Sequence, residues 1–128
     1  PPVDGYVTQG LSLSTNSESH NGIDVAAAFG AAIKSPANGM VVFSGKSDET
    51  GNTIIISHDF GFYTVYGHND TNLVRERDIV VTGQVIAKVG DTGKSEGPHL
   101  HFEIWKNNRV LDPRDLIEEY KKKDVSIR

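Results

Sequence analysis

Five histidines and one aspartate carry the chemistry open to this chain of 128 residues. In His99-Leu100-His101 and the residues that follow, Leu100, Phe102 and Ile104 alternate with His99, His101 and Glu103. Residues two apart in a strand share a face, about 6.5 Å apart between Cα atoms. Both imidazoles then project from one side while Leu100 and Phe102 enter the core. Two imidazoles so placed could both bind a metal, or one could bind while the other serves the metal's water. The bland alternative is an exposed pair on an edge strand.

His20-Asn21-Gly22-Ile23-Asp24 supplies a second pair of donors. A fully extended chain would hold His20 and Asp24 roughly 13 Å apart. Gly22 allows a bend that brings imidazole and carboxylate together. Both groups ligate zinc at about 2.0–2.2 Å, and three protein ligands leave the fourth tetrahedral position to water, as in catalytic zinc sites. By residue type alone, His20, Asp24 and one of the two distal histidines make such a set. An open zinc lowers the pKa of its water to about 7 and polarises a carbonyl. No His-Glu-x-x-His sequence offers a glutamate base. The remaining histidines, which titrate near neutrality, are the natural proton carriers.

The elements that must position these groups read as strands. Val and Ile number 23 against 6 Leu, and 13 glycines imply many tight turns. Strands are expected at 32–35, 40–46, 52–58, 62–67, 85–89 and 99–106, with a short one at 109–111 and a weak one around 5–9. Asn38-Gly39 suits a hairpin turn between the first two, Asp59-Phe60-Gly61 a joint between the third and fourth, and Asn107-Asn108 a turn before Val110. Residues 14–19 read as a surface loop. One helix is expected over about 113–123, with Asp112 as N-cap, Pro113 in the first turn, Leu116, Ile117 and Tyr120 on one face, and Lys121 to Lys123 at its C-terminal end. The whole span 1–128 is read as a single domain with its core at about 5–116.

Composition removes several classes of function. With no cysteine there is no disulfide framework, thiolate zinc site or thiol nucleophile. A net charge of −4 speaks against nucleic acid as partner. The longest uninterrupted apolar-or-glycine stretch, Val25 to Ala32, is far short of the roughly 20 residues of a membrane helix. Pro1-Pro2 is an odd natural start, so a piece of a longer exported precursor is expected, with any anchoring or regulatory segment outside it.

In this order and setting, His20-x-Gly22-x-Asp24 and His99-x-His101 resemble the two zinc motifs of the lysostaphin-type (LytM-like, M23) metallopeptidases. The resemblance extends through Gly22 to Ala27, Ala37-Asn38-Gly39-Met40-Val41, Thr64-Val65-Tyr66-Gly67-His68, Gly90-Asp91-Thr92-Gly93, Gly97 to Ile104 and Asp112-Pro113. It implies a mainly β fold, an antiparallel sheet of barrel-sandwich type with a groove crossing the metal. It further implies one zinc per chain on His20, Asp24 and His101, with His68 and His99 as the catalytic histidines. His58 has no counterpart and is left as a strand histidine.

The implied activity is a zinc endopeptidase cutting peptide cross-links or stem peptides of bacterial peptidoglycan in the cell envelope, periplasmic or extracellular; the sequence leaves the oligomeric state open, with a monomer favoured. The alternative is a non-catalytic LytM-like module that binds and activates a cell-wall amidase. A phosphorylated carrier domain of related architecture would leave His20 and Asp24 unexplained. Departures from the family pattern are Leu11-Ser12 after Gly10, Asn69 after His68, Arg77 in place of a glycine, and Glu96, which adds negative charge beside the histidine strand. They bear on substrate choice more than on chemistry.

Overall fold

The computed structural model describes residues 1–12, 20–95 and 97–126. The expected loop at 14–19 and the charge of Glu96 lie outside the described residues. Among the described residues ten strands follow one another: β1 (Tyr6–Gln9), β2 (Ile23–Ala26), β3 (Ala32–Lys34), β4 (Gly39–Ser47), β5 (Gly51–Ser57), β6 (Phe62–Asn72), β7 (Ile79–Val80), β8 (Val85–Val89), β9 (His99–Lys106) and β10 (Arg109–Leu111). They form one antiparallel sheet in the order β1-β2-β9-β6-β5-β4-β7, with β10 on β9 and β3 joined through β8 to β6. The mainly antiparallel β fold is as expected, and β-branched runs account for it. Ile54 and Ile56 of β5, Val41 of β4 and Ile86 of β8 are fully buried, as are Leu100 and Phe102 of β9.

Two elements emerge that the periodicity did not disclose. β2 lies inside the segment read as a bend, and β7 is only two residues long. Asn38-Gly39 does not turn a hairpin: β3 pairs with β8, and β4 with β5 and β7. Asn38 instead accepts the Thr82 N–H on its Oδ1, tying the β3–β4 connection to the segment before β8. The two other turns stand. A 3-10 turn at Asp59–Gly61 joins β5 to β6, and Asn107 and Asn108, at φ 50° and 66°, join β9 to β10.

The C-terminal helix is split into α1 (Pro113–Leu116) and α2 (Glu118–Lys122). Ile117 is extended, at φ −122° and ψ 107°, which breaks the expected shared face. Tyr120 is buried, with its hydroxyl donating to the Val3 carbonyl, while Leu116 is exposed. Asp112 caps α1 through the Arg114 N–H, as its sequence position implies. Among the described residues no helix is long and apolar enough to cross a membrane.

β6 positions the site through a change of partner. Up to Gly67 it pairs with β9, and from Asn69 it pairs with β8. His68 sits at the break, in the left-handed region at φ 64°. Val65 and Gly67 oppose Glu103 and His101, whereas Thr64 and Tyr66 oppose the core residues Ile104 and Phe102. Plain alternation would send His68 into the core with Tyr66. The bulge instead turns it onto the face that carries His101.

Candidate metal centre

β2 and β9 run antiparallel with Asp24 opposite His101. Directly opposed residues lie about 4.5–5.5 Å apart between Cα atoms and share a face. Carboxylate and imidazole therefore meet with no bend in the chain: Asp24 Oδ1 is 3.2 Å from His101 Nδ1. Gly22 matters for a different reason from flexibility alone. A Cβ there would run into the carbonyl oxygen of Phe102, so glycine is what lets the approach to β2 lie against β9. His20 enters just before, bridged to Ser12, and its Nε2 comes within 3.2 Å of Asp24 Oδ1.

These three side chains bring one ligand atom each to within 4.8 Å of one another. Tetrahedral zinc with bonds near 2 Å sets its ligand atoms about 3.3 Å apart. The two 3.2 Å contacts to Asp24 match that spacing. Hydrogen bonds fix which nitrogen faces inward. His20 Nδ1–H donates to the Gly10 carbonyl at 3.0 Å, leaving Nε2 free. His101 Nε2–H donates to Glu103 Oε2 at 2.7 Å, leaving Nδ1 free. A ligating imidazole whose second nitrogen is held by a carboxylate or carbonyl is the usual arrangement around protein metals.

The electrostatics ask for a cation at this point. Burial favours neutral His101, but hydrogen bonds to Asp24 and Glu103 outweigh it and raise its pKa to about 9. For Asp24, burial alone would favour the protonated acid. Hydrogen bonds from His101 and His20 overcome that and hold the carboxyl well below the ordinary range. A proton on His101 Nδ1 thus occupies the position a divalent ion would take, and the donor set of two imidazoles and a carboxylate fits zinc.

His99 and His68 stand beside this cluster. Their ring centroids are 4.6 Å apart, and His68 is 6.1 Å from His101. His99 Nδ1–H donates to the Gly97 carbonyl at 2.9 Å, and its Nε2 lies 3.6 Å from Asp24 Oδ1. His68 Nδ1–H donates to the Thr92 carbonyl at 2.6 Å. In each ring Nδ1 is thus engaged by the backbone. Burial pushes the His68 pKa down, only partly opposed by the Thr92 carbonyl, so its neutral form prevails at neutral pH.

A cleft of about 700 Å³ opens over these groups, bounded by Gln9 and Asn21 on one side and by Glu49 and Lys94 on the other. His58 lies away from it, at the end of β5. Its ring bridges the Asn38 carbonyl and Thr64 Oγ1, both at 2.7 Å. His20, Asp24, His68, His99 and His101, the residues singled out in the sequence, all line the cleft, and His58 does not. The sequence did not single out Glu103 or Thr92, the partners of His101 and His68. Glu103 was detectable, being two residues from His101 on the same strand face. Thr92 acts through its carbonyl, which no side-chain pattern announces.

Known proteins of similar sequence and fold include peptidoglycan-acting ones. The chain is 42% identical over 113 residues to the murein hydrolase activator NlpD of Salmonella dublin, covering 88% of this chain and 29% of that protein. It is 42% identical over 93 residues to the peptidoglycan DD-endopeptidase ShyB of Vibrio cholerae, covering 73% and 22%. The chain thus spans less than a third of the length of these relatives. The crystal structure of a zinc-containing peptidase from Vibrio cholerae superposes with a TM-score of 0.81 at 36% identity, over 86% of this chain and 37% of that one. Residues 18–113 match the peptidase family M23, and the chain belongs to that family.

Proposed function

We propose that this chain is the catalytic module of a zinc-dependent endopeptidase that hydrolyses peptide bonds in bacterial peptidoglycan, in the cell envelope. One observation carries the reading: His68 and His99 both line the cleft over the His20–Asp24–His101 cluster, and in each the Nδ1–H is taken by a backbone carbonyl, so that Nε2 is the nitrogen left for proton transfer. A site that only bound a ligand would have no need of two histidines so held.

His20, Asp24 and His101 would hold the metal, which would supply Lewis-acid polarisation of a carbonyl and a lowered pKa for water. His99 Nε2, 3.6 Å from Asp24 Oδ1, takes the proton from the attacking water. The Gly97 carbonyl stabilises the imidazolium so formed by accepting from Nδ1. The proton that His99 gains passes to the leaving amine. His68, protonated from solvent before the step, donates from Nε2 to the oxyanion and recovers the neutral form when that proton returns to solvent. Its depressed pKa makes that proton readily released.

The relative NlpD is described as an activator, which favours a second reading in which the cleft binds rather than cuts and an amidase does the hydrolysis. Incubating the chain alone with purified peptidoglycan and identifying released fragments by mass spectrometry separates the two. Fragments ending at a newly cut peptide bond support the endopeptidase. Release only when an amidase is added, with cuts between sugar and peptide, supports the activator.

A further inference from the structure

Trp105 is the single tryptophan of the chain. Its indole Nε1–H donates to Glu103 Oε1 at 2.7 Å, while Glu103 Oε2 accepts from His101 Nε2 at 2.7 Å. Three residues at alternate positions of β9 are thereby joined on one face. Both oxygens of the carboxylate are committed, and the Glu103 and His101 side chains are only 15% and 8% exposed.

The chain of bonds has a direction. Indole is a donor with no acceptor, so Trp105 can only fix the carboxylate. Glu103 has three side-chain torsions, and pinning one oxygen removes much of the freedom that would let it swing to water. The other oxygen then holds Nε2 of His101 as a donor, and Nδ1, 3.2 Å from Asp24, is the nitrogen left to a metal. Trp105 also lines a second hollow of about 580 Å³, which meets the cleft at Thr50 and Glu103.

We infer that Glu103 and Trp105 are positioning residues for the metal: Trp105 fixes Glu103, and Glu103 presents His101 for ligation through Nδ1. The inference rests on the metal reading above. Its test is the affinity of the chain for zinc, measured by competition with a chromophoric chelator, together with the absorption spectrum of the cobalt(II)-loaded chain, which reports ligand geometry.

Glu103→Ala and Glu103→Gln should weaken zinc binding about 10–100-fold, the usual effect of removing such a partner, and should alter the cobalt spectrum. Trp105→Phe keeps an aromatic ring and removes only the N–H, and should weaken binding roughly fivefold, the worth of one net hydrogen bond. Glu118→Gln, an exposed α2 carboxylate 3.9 Å from Lys122 and outside the cleft, should change neither. Circular dichroism identifies any variant that fails to fold, and the Gln and Phe variants then stand in for Glu103→Ala. Folded Glu103 variants with wild-type zinc affinity and an unchanged spectrum would overturn the inference, as would a Trp105→Phe chain equal to wild type. A wild-type chain that takes up neither metal would overturn the metal reading and this inference with it.

Discussion

His99 and His101 present opposite nitrogens to the same oxygen of Asp24. His101 turns Nδ1 to Oδ1 at 3.2 Å and gives Nε2 to Glu103, whereas His99 turns Nε2 to Oδ1 at 3.6 Å and gives Nδ1 to the Gly97 carbonyl. Two residues of one strand face are thus prepared differently, and the difference predicts a split between binding and turnover. His101→Ala should lose zinc and hydrolysis together. His99→Ala should keep its zinc and lose on the order of 10²–10⁴-fold in turnover, the common worth of a positioned acid or base. Elemental analysis beside a peptidoglycan digestion assay measures both. An emptied site in His99→Ala with zinc retained in His101→Ala would reverse the assignment.

His68 depends on a backbone crossing some distance along the chain. The Thr92 carbonyl that orients it sits in a loop pressed on the β4–β5 turn, where Gly51 and Gly93, at φ 61° and 75°, approach closely. A Cβ on Gly93 would collide with the Gly51 backbone. Gly93→Ala should therefore displace the loop and the carbonyl while leaving all three proposed ligands in place. The expected result is zinc content like wild type with turnover reduced up to about 100-fold, as for a misplacement of about 1 Å. Full activity in a folded Gly93→Ala chain would show that the Thr92 contact does not matter.

These relationships divide what the residues disclosed from what they concealed. The alternation in His99–Lys106 placed two histidines and Glu103 opposite Leu100, Phe102 and Ile104, and the burial follows that division, though His101 itself is nearly enclosed because β9 lies between β2 and β6. The meeting of His20 with Asp24 was expected from a bend at Gly22. The meeting of Asp24 with His101 is a cross-strand register over 77 residues, which local pattern does not encode. His68 was legible as a motif residue, yet its orientation comes from the exchange of partners in β6, a tertiary event. β7 was missed because two residues in a strand have no period to read. The single C-terminal helix failed at Ile117, where packing of Tyr120 against Val3 outweighed helical continuity.

At the C-terminal end, Asp112 accepts from Arg114 three times, at the backbone N–H, Nε and Nη2, and Arg114 also reaches Asp124. The Arg114 hydrogen bonds hold the Asp112 carboxyl below its ordinary value. A carboxyl with a depressed folded pKa adds stability above its unfolded pKa of about 3.9, and that stability is lost as pH falls through the folded value. Asn at this position keeps the helix cap and removes the charge. Asp112→Asn should accordingly be less stable than wild type at pH 7, by no more than about 1 kcal/mol because the pair is partly exposed. The gap should close as pH drops below the ordinary carboxylate range. Urea melts of both proteins at several pH values test it, and a gap that widens on acidification would contradict the linkage.

His58 gives the sharpest separation between a structural and a catalytic histidine. Its ring joins the Asn38 carbonyl to Thr64 Oγ1, which is 2.7 Å from the hydroxyl of the fully buried Tyr66. Thr64 and Tyr66 face the core side of β6, opposite Ile104 and Phe102, so this polar chain runs behind the sheet face that carries the cleft. Removing the ring leaves the Asn38 carbonyl without its donor and Thr64 with one partner fewer. His58→Ala should therefore cost about 0.5–1.5 kcal/mol of stability, the net worth of a hydrogen bond, because Asn38 is exposed and its carbonyl can turn to water. Zinc content should be unchanged, and hydrolysis by the fraction that remains folded should stay within a few-fold of wild type. Thermal melts, elemental analysis and the digestion assay on one preparation give all three numbers. A loss of turnover near that of His68→Ala, with zinc and stability intact, would instead bring His58 into the reaction.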